Sequence, residues 1–189
     1  MKSLIDYIGK QFSVAGTFSN RLLIFDVDDT LVHSNARVFV KKNGKTIRVL
    51  TNAEFNYDKL QDGESYDFSE FNSYKALKKS IFLPFWDTLK REYNKGTHIC
   101  ILTARGDADM LYKFFNSNGI DIKRELVIAV NDPKCEYSGT IEERKSQAIE
   151  TLAKLGYDTL VFFDDNIENL NAAKALEKKL DIKVITIQA

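Results

Sequence analysis

Proline is scarce in this sequence, with 2 residues in 189, and glycine stops at 9. No proline- or glycine-rich stretch interrupts the chain, which argues against modules strung on a flexible tether. The two cysteines, Cys100 and Cys135, are isolated. Their spacing argues against a zinc site or a disulfide framework, and Cys100 lies in an apolar run that reads as core. A run of ~18 apolar residues is also missing, and the amino-terminal stretch lacks the apolar length of a signal peptide. Neither a membrane span nor a membrane partner is expected, and a soluble, cytoplasmic protein is the default. Charge of one sign is not in excess either, since Lys+Arg and Asp+Glu both number 27. A nucleic-acid partner would therefore need a local basic patch. Hydrophobic residues reach 44%, ample for one buried core, and the length suits a single domain over 1–189. Nothing in the composition speaks to oligomeric state.

Five short apolar runs punctuate the chain: 21–27, 97–102, 126–130, 159–163 and 183–187. Continuous apolar character of this length fits strands buried on both faces, as in a parallel sheet. Helical patterns separate them, over 84–95 entered at Pro84, about 107–118 stopped by Gly119, 140–155 stopped by Gly156, and 166–179. A further helix is expected over 2–12. Strands alternating with helices predict an α/β, Rossmann-like three-layer sandwich on a parallel five-stranded sheet. One segment breaks the alternation. Residues 36–51 read as two strands joined by Lys42-Asn43-Gly44-Lys45, a strong hairpin signal. The acidic stretch 52–70 lacks periodicity and reads as a loop, and 70–80 adds a helix. The insertion, about 34–80, is expected to form a small cap or flap.

The chemistry-bearing residues sit where apolar runs end. Leu22-Leu23-Ile24-Phe25 runs into Asp26-Val27-Asp28-Asp29-Thr30. Carboxylates at the end of a buried strand are costly unless paired or metal-bound, and ligands bind open parallel sheets at the carboxyl ends of their strands. In extended chain Asp26 and Asp28 would point the same way and suit a hard cation such as Mg²⁺. Taken alone, the cluster is also compatible with helix capping in a βα loop, the lesser of the two readings. A second acidic pair, Asp164-Asp165, follows Phe162-Phe163. A third run ends Thr103-Ala104-Arg105, and Lys145 stands near the start of the helix before the Asp164 strand.

Asp-x-Asp, then Thr, then Lys, then Asp-Asp, each at its own element end, resembles the four motifs of the haloacid dehalogenase superfamily over residues 21–170. Asp29 departs from the glycine that many members carry. A receiver domain also places Asp, Thr and Lys at strand ends, but in another order. The resemblance implies Asp26 as a covalent nucleophile for phosphorus and Asp28 as the acid that protonates the leaving group. It further implies Mg²⁺ held by Asp26, the Asp28 backbone carbonyl and Asp164, with Asp165 bound through water or behind it. Thr103 would donate to a phosphoryl oxygen, and Lys145 would balance the acids. An acid at position 28 favours a phosphatase over a dehalogenase.

A narrower resemblance is to the 3′-phosphatase half of polynucleotide kinase/phosphatases, carried by Asn35-Ala36-Arg37 and Thr103-Ala104-Arg105. No phosphate-binding loop of a kinase half is present. Arg37, Arg105 and Thr30 thereby become candidate substrate contacts, and the expected partner is a phosphorylated small molecule or a nucleic-acid end. The lysines at 41, 42 and 45 with Arg48 could steer such an end or protect a sheet edge. A sugar-phosphate phosphatase and a non-catalytic phosphate-binding module remain open alternatives.

Overall fold

The computed structural model describes residues 20–55 and 57–189, so the helix expected over 2–12 lies outside the described residues. In chain order the strands are β1 (Arg21–Phe25), β2 (Val32–His33), β3 (Val38–Lys42), β4 (Lys45–Leu50), β5 (Glu64–Asp67), β6 (Ile81–Phe82), β7 (His98–Thr103), β8 (Val127–Ala129), β9 (Thr159–Asp164) and β10 (Lys183–Gln188). The α-helices are α1 (Asn52–Phe55), α2 (Tyr74–Leu77), α3 (Pro84–Asn94), α4 (Ala108–Ser117), α5 (Ile141–Ala153) and α6 (Ile167–Leu180). None of the described helices is long and apolar enough to cross a membrane.

The five apolar runs form one parallel sheet in the order β10-β9-β1-β7-β8. Leu22, Leu23, Ile24 and Phe25 of β1 are all buried, as a central strand covered on both faces requires. From β1 the chain moves to β7 and β8 on one side, then returns across the sheet to β9 and β10. Right-handed crossovers place helices on opposite faces when the direction of travel reverses. One layer holds α3 and α4, joined by ring contacts of Trp86 with Phe114 and Phe115 at 5.9 and 5.7 Å. The other holds α5 and α6, packed on each other. The expected α/β Rossmann-like architecture is therefore present. Its topological switch point falls between β1 and β9, where their carboxyl ends part company in connectivity.

The insertion is larger in secondary structure than its sequence suggests. The hairpin forms as expected, with β3 pairing β4 around Asn43-Gly44 and a bulge between Val40 and Lys41. However, β5 adds a third strand on the other side of β3, inside the stretch expected to be a loop. This sheet has its own small core of Val38, Val40 and Leu50, with Phe55, Tyr66 and Phe71 against it. The helix expected over 70–80 is a 3₁₀ turn, Ser69–Asn72, followed by the single turn α2. Leu77 of α2 enters the main core, and β2 and β6 pair at the base of the insertion.

Candidate functional site

The ladder between β1 and β9 continues one residue beyond β1, where the Asp26 N–H donates to the Phe163 carbonyl at 2.9 Å. The chain then turns sharply. The Val27 carbonyl accepts from the N–H groups of Leu31 and Val32, both at 3.0 Å, and the Asp29 N–H donates to the Val32 carbonyl at 2.8 Å. This turn requires the left-handed region at Asp29, with φ of 54°. Glycine enters that region most cheaply and aspartate is among the few residues that tolerate it, so either residue serves this turn. The Asp29 carboxylate also meets His33 Nδ1 at 2.7 Å.

Asp26, Asp164 and Asp165 converge, each offering an oxygen within 4.8 Å of the others. Lys145 projects from α5 into the same space. Its Nζ donates to Asp26 Oδ1 at 2.9 Å and to Asp164 Oδ2 at 2.7 Å. Asp26, Asp164 and Lys145 are all buried, while Asp165 lies at the rim. Asp164 Oδ1 accepts from the Asn166 N–H and from Asn169 Nδ2, both at 2.9 Å. Asp26 Oδ2 has no hydrogen-bond partner among the described residues and is the open face of that carboxylate.

Burial raises the Asp26 carboxyl to about 8, helped by the neighbouring Asp164 and Asp28 carboxylates and opposed by Lys145. Asp165 is raised to about 6, although its outer edge meets solvent, first by partial burial and then by Asp164 and Asp29. Lys145 is raised by Asp26 and Asp164, against the burial that acts to lower it. Three carboxylates thus share one ammonium. The shortfall of positive charge and the all-oxygen donor set fit a hard divalent cation.

Asp28 lies outside this trio. Its carboxylate is held by a two-point fork from Arg105, Nε to Oδ2 at 2.8 Å and Nη2 to Oδ1 at 2.7 Å. Arg105 Nη1 donates to the Phe71 carbonyl of the insertion. Each of the three guanidinium nitrogens of Arg105 therefore donates to a protein group, and its side chain is 1% exposed against 19% for Asp28.

Thr103 ends β7, almost wholly buried at 1%. Its carbonyl accepts from Val130 N–H at 2.8 Å. Thr30 is wholly buried and its hydroxyl has no partner, so it does not reach a surface where substrate could arrive. Arg37 is exposed at the entry to β3, with its backbone N–H donating to Glu70 Oε2 at 2.8 Å. The structure thus joins Asp26, Asp164, Asp165 and Lys145 in one cluster and sets the Asp28–Arg105 pair beside it. Arg37 and Thr30 stand apart.

Sequence reasoning missed Asn166, Asn169, Asn72 and the main-chain contact of Phe71 with Arg105. Asn169 had a signal: it is a buried polar residue in the stripe of α6 that includes Leu170, Ala173 and Leu176. Phe71 acts through its carbonyl and had none. Asn72 accepts from the Gly106 N–H at 3.0 Å, tying the insertion to the loop after Thr103.

No family model, curated protein or solved structure matches this chain.

Proposed function

We propose that this protein is a Mg²⁺-dependent phosphomonoester hydrolase of the haloacid dehalogenase type, working through an aspartyl-phosphate on Asp26. The observation that carries this reading is the convergence of the Asp26, Asp164 and Asp165 carboxylates within 4.8 Å around Lys145, at the switch point of the sheet. A phosphate monoester is an anion, so its hydrolysis needs neutralised charge and an in-line nucleophile. Mg²⁺ held by Asp26 and Asp164, with Asp165 beside them, would shield the nucleophile from the phosphate's charge.

The protein's own groups account for the rest. Lys145 holds Asp26 Oδ1, which leaves Oδ2 to attack phosphorus. The bond from phosphorus to the leaving oxygen breaks, and Asp28 gives its proton to that oxygen. Asp28 then takes a proton from the water that attacks the phosphorus of the aspartyl-phosphate, releasing inorganic phosphate and restoring Asp26. Thr103, at the end of the adjacent strand β7, would donate to a phosphoryl oxygen.

The substrate we propose is a nucleotide or a nucleic-acid 3′-phosphate. Exposed Arg37, at the edge of a small cap, is the group available to grip a flanking phosphate. The Asp26→Asn variant is expected to lose all Mg²⁺-dependent hydrolysis of an aryl phosphate; retained turnover in homogeneous protein refutes the reading. A panel of 3′-phosphorylated oligonucleotide, mononucleotides and sugar phosphates then ranks substrates by kcat/KM. Indifference to polymer length removes the nucleic-acid end and leaves a metabolite phosphatase.

A further inference from the structure

The pair formed by Asp28 and Arg105 carries an inference about how the acid is held, and it rests on the reading above. We propose that Arg105 is a positioning residue that fixes the Asp28 carboxyl for proton transfer, anchored in turn by the insertion, and that it does not bind substrate phosphate.

Three observations support this. First, the guanidinium uses its fork on both Asp28 oxygens at 2.8 and 2.7 Å. Planar two-point pairing fixes the orientation of a carboxylate as a single contact cannot. Each oxygen keeps one further lone pair, so the carboxyl can still carry and release a proton on its far side. Second, the order of burial is fixed. Arg105 is 1% exposed and Asp28 19%, so a substrate meets Asp28 with Arg105 screened behind it. Third, Arg105 is gripped from the insertion. Nη1 donates to the Phe71 carbonyl, and the guanidinium lies 5.5 Å from the centre of the Phe71 ring. The next residue, Asn72, accepts from the Gly106 N–H. A methyl group at Gly106 would come within 3.0 Å of the Asn72 amide, so the two segments are in close register. The cap is thereby linked to the acid through Phe71 and Arg105.

A positioning role and a phosphate-binding role differ in what they do to leaving groups. An alkyl phosphomonoester needs a proton delivered to its leaving oxygen, whereas p-nitrophenolate departs without one. The Arg105→Lys variant keeps the charge and loses the fork. It is expected to lower kcat/KM for an alkyl phosphomonoester by about 10-fold or more, a fraction of the full contribution of a general acid. Its kcat/KM for p-nitrophenyl phosphate should change less than about threefold, with KM little altered on either substrate. Asn72→Ala, at an exposed position, removes the tie to Gly106 and should give a smaller loss of the same alkyl-selective kind. It serves as the second variant if Arg105→Lys folds poorly. An equal loss on both substrates through raised KM assigns Arg105 to substrate binding and overturns the proposal. So does the absence of leaving-group selectivity in both variants. Wild-type protein that hydrolyses neither ester in Mg²⁺ removes the parent reading, and the proposal with it. Wild-type turnover that is lost in Asp26→Asn keeps the parent reading, whatever the Arg105 result.

Discussion

Lys145 brings one positive charge into a space shared by three carboxylates, and its side chain is 2% exposed. Removing one partner from a buried ion network leaves uncompensated charge that solvent cannot reach. The Lys145→Met variant should therefore lose about 3–5 kcal/mol of stability in metal-free buffer, measured by urea unfolding, and Mg²⁺ should recover part of the deficit. A variant as stable as wild type in chelator would show that the ammonium does not compensate the acids. The same crowding sets a pH dependence. Asp26 is raised from 3.8 to about 8 and Asp165 from 3.8 to about 6. The folded state then binds more protons than the unfolded state over these ranges, so stability falls as pH rises. Without Mg²⁺ the melting temperature should decline from about pH 4 to about pH 8, and Mg²⁺ should flatten or reverse the trend because it competes with protons for the carboxylates. A melting temperature that climbs across that range in chelator contradicts the shared-acid picture. Asp26 and Asp164 were legible in sequence because polar groups at the ends of apolar runs stand out, whereas Lys145, inside a helix, was singled out only by the order of motifs it completes. The contact between Arg105 and the Phe71 carbonyl was not, since a main-chain oxygen leaves no mark on residue identity.

Helix α5 delivers Lys145, and its start is unusually constrained. Thr140 accepts from the Glu143 N–H while the Glu143 carboxylate accepts from the Thr140 N–H at 2.8 Å, a reciprocal cap. Gly139 precedes it at φ of 101°, and a methyl group there would fall 2.1 Å from the Glu143 carboxylate. Gly139→Ala should thus cost about 1–3 kcal/mol through backbone strain and loss of the cap, read as a lower midpoint in urea. Thr140→Ala should cost about 1 kcal/mol. If Gly139→Ala proves neutral, the cap does not hold the helix start. The four long helices and the buried strands were readable from sequence, because their apolar periodicity is local. The third cap strand was not. β5 is Glu64-Ser65-Tyr66-Asp67, short and polar, and it forms because β3 supplies a partner. The turn β2 and its mate β6, two residues each, escape for the same reason: pairing at a distance defines them, and no window of sequence contains both halves.

Across the whole molecule, the cluster is assembled from β1, α5 and β9, so a cation bound there joins parts of the chain far apart in sequence. Lys145 and Asp26 alone are separated by 119 residues. A ligand that binds only the assembled state stabilises it by mass action, about 2.7 kcal/mol at a hundredfold excess over Kd. Mg²⁺ should raise the melting temperature of the wild type, and Asp164→Asn should abolish that increment; an equal increment in the variant would place the cation elsewhere. The fold class was legible from the alternation of runs and helices. The side of β1 on which β9 would lie was not, since the reversal of direction after β8 depends on which edge of the sheet is free.

That reversal has a consequence for biosynthesis. As the polypeptide leaves the ribosome, β7 and β8 can dock on one flank of β1 soon after they emerge, but the other flank waits for β9. Until then Leu22-Leu23-Ile24-Phe25 presents open amide and carbonyl groups beside an apolar surface, the kind of edge that pairs with other nascent chains. The strand that runs into Asp26 thus keeps an open flank that a chaperone could cover, and it is sealed only by the segment that brings Asp164.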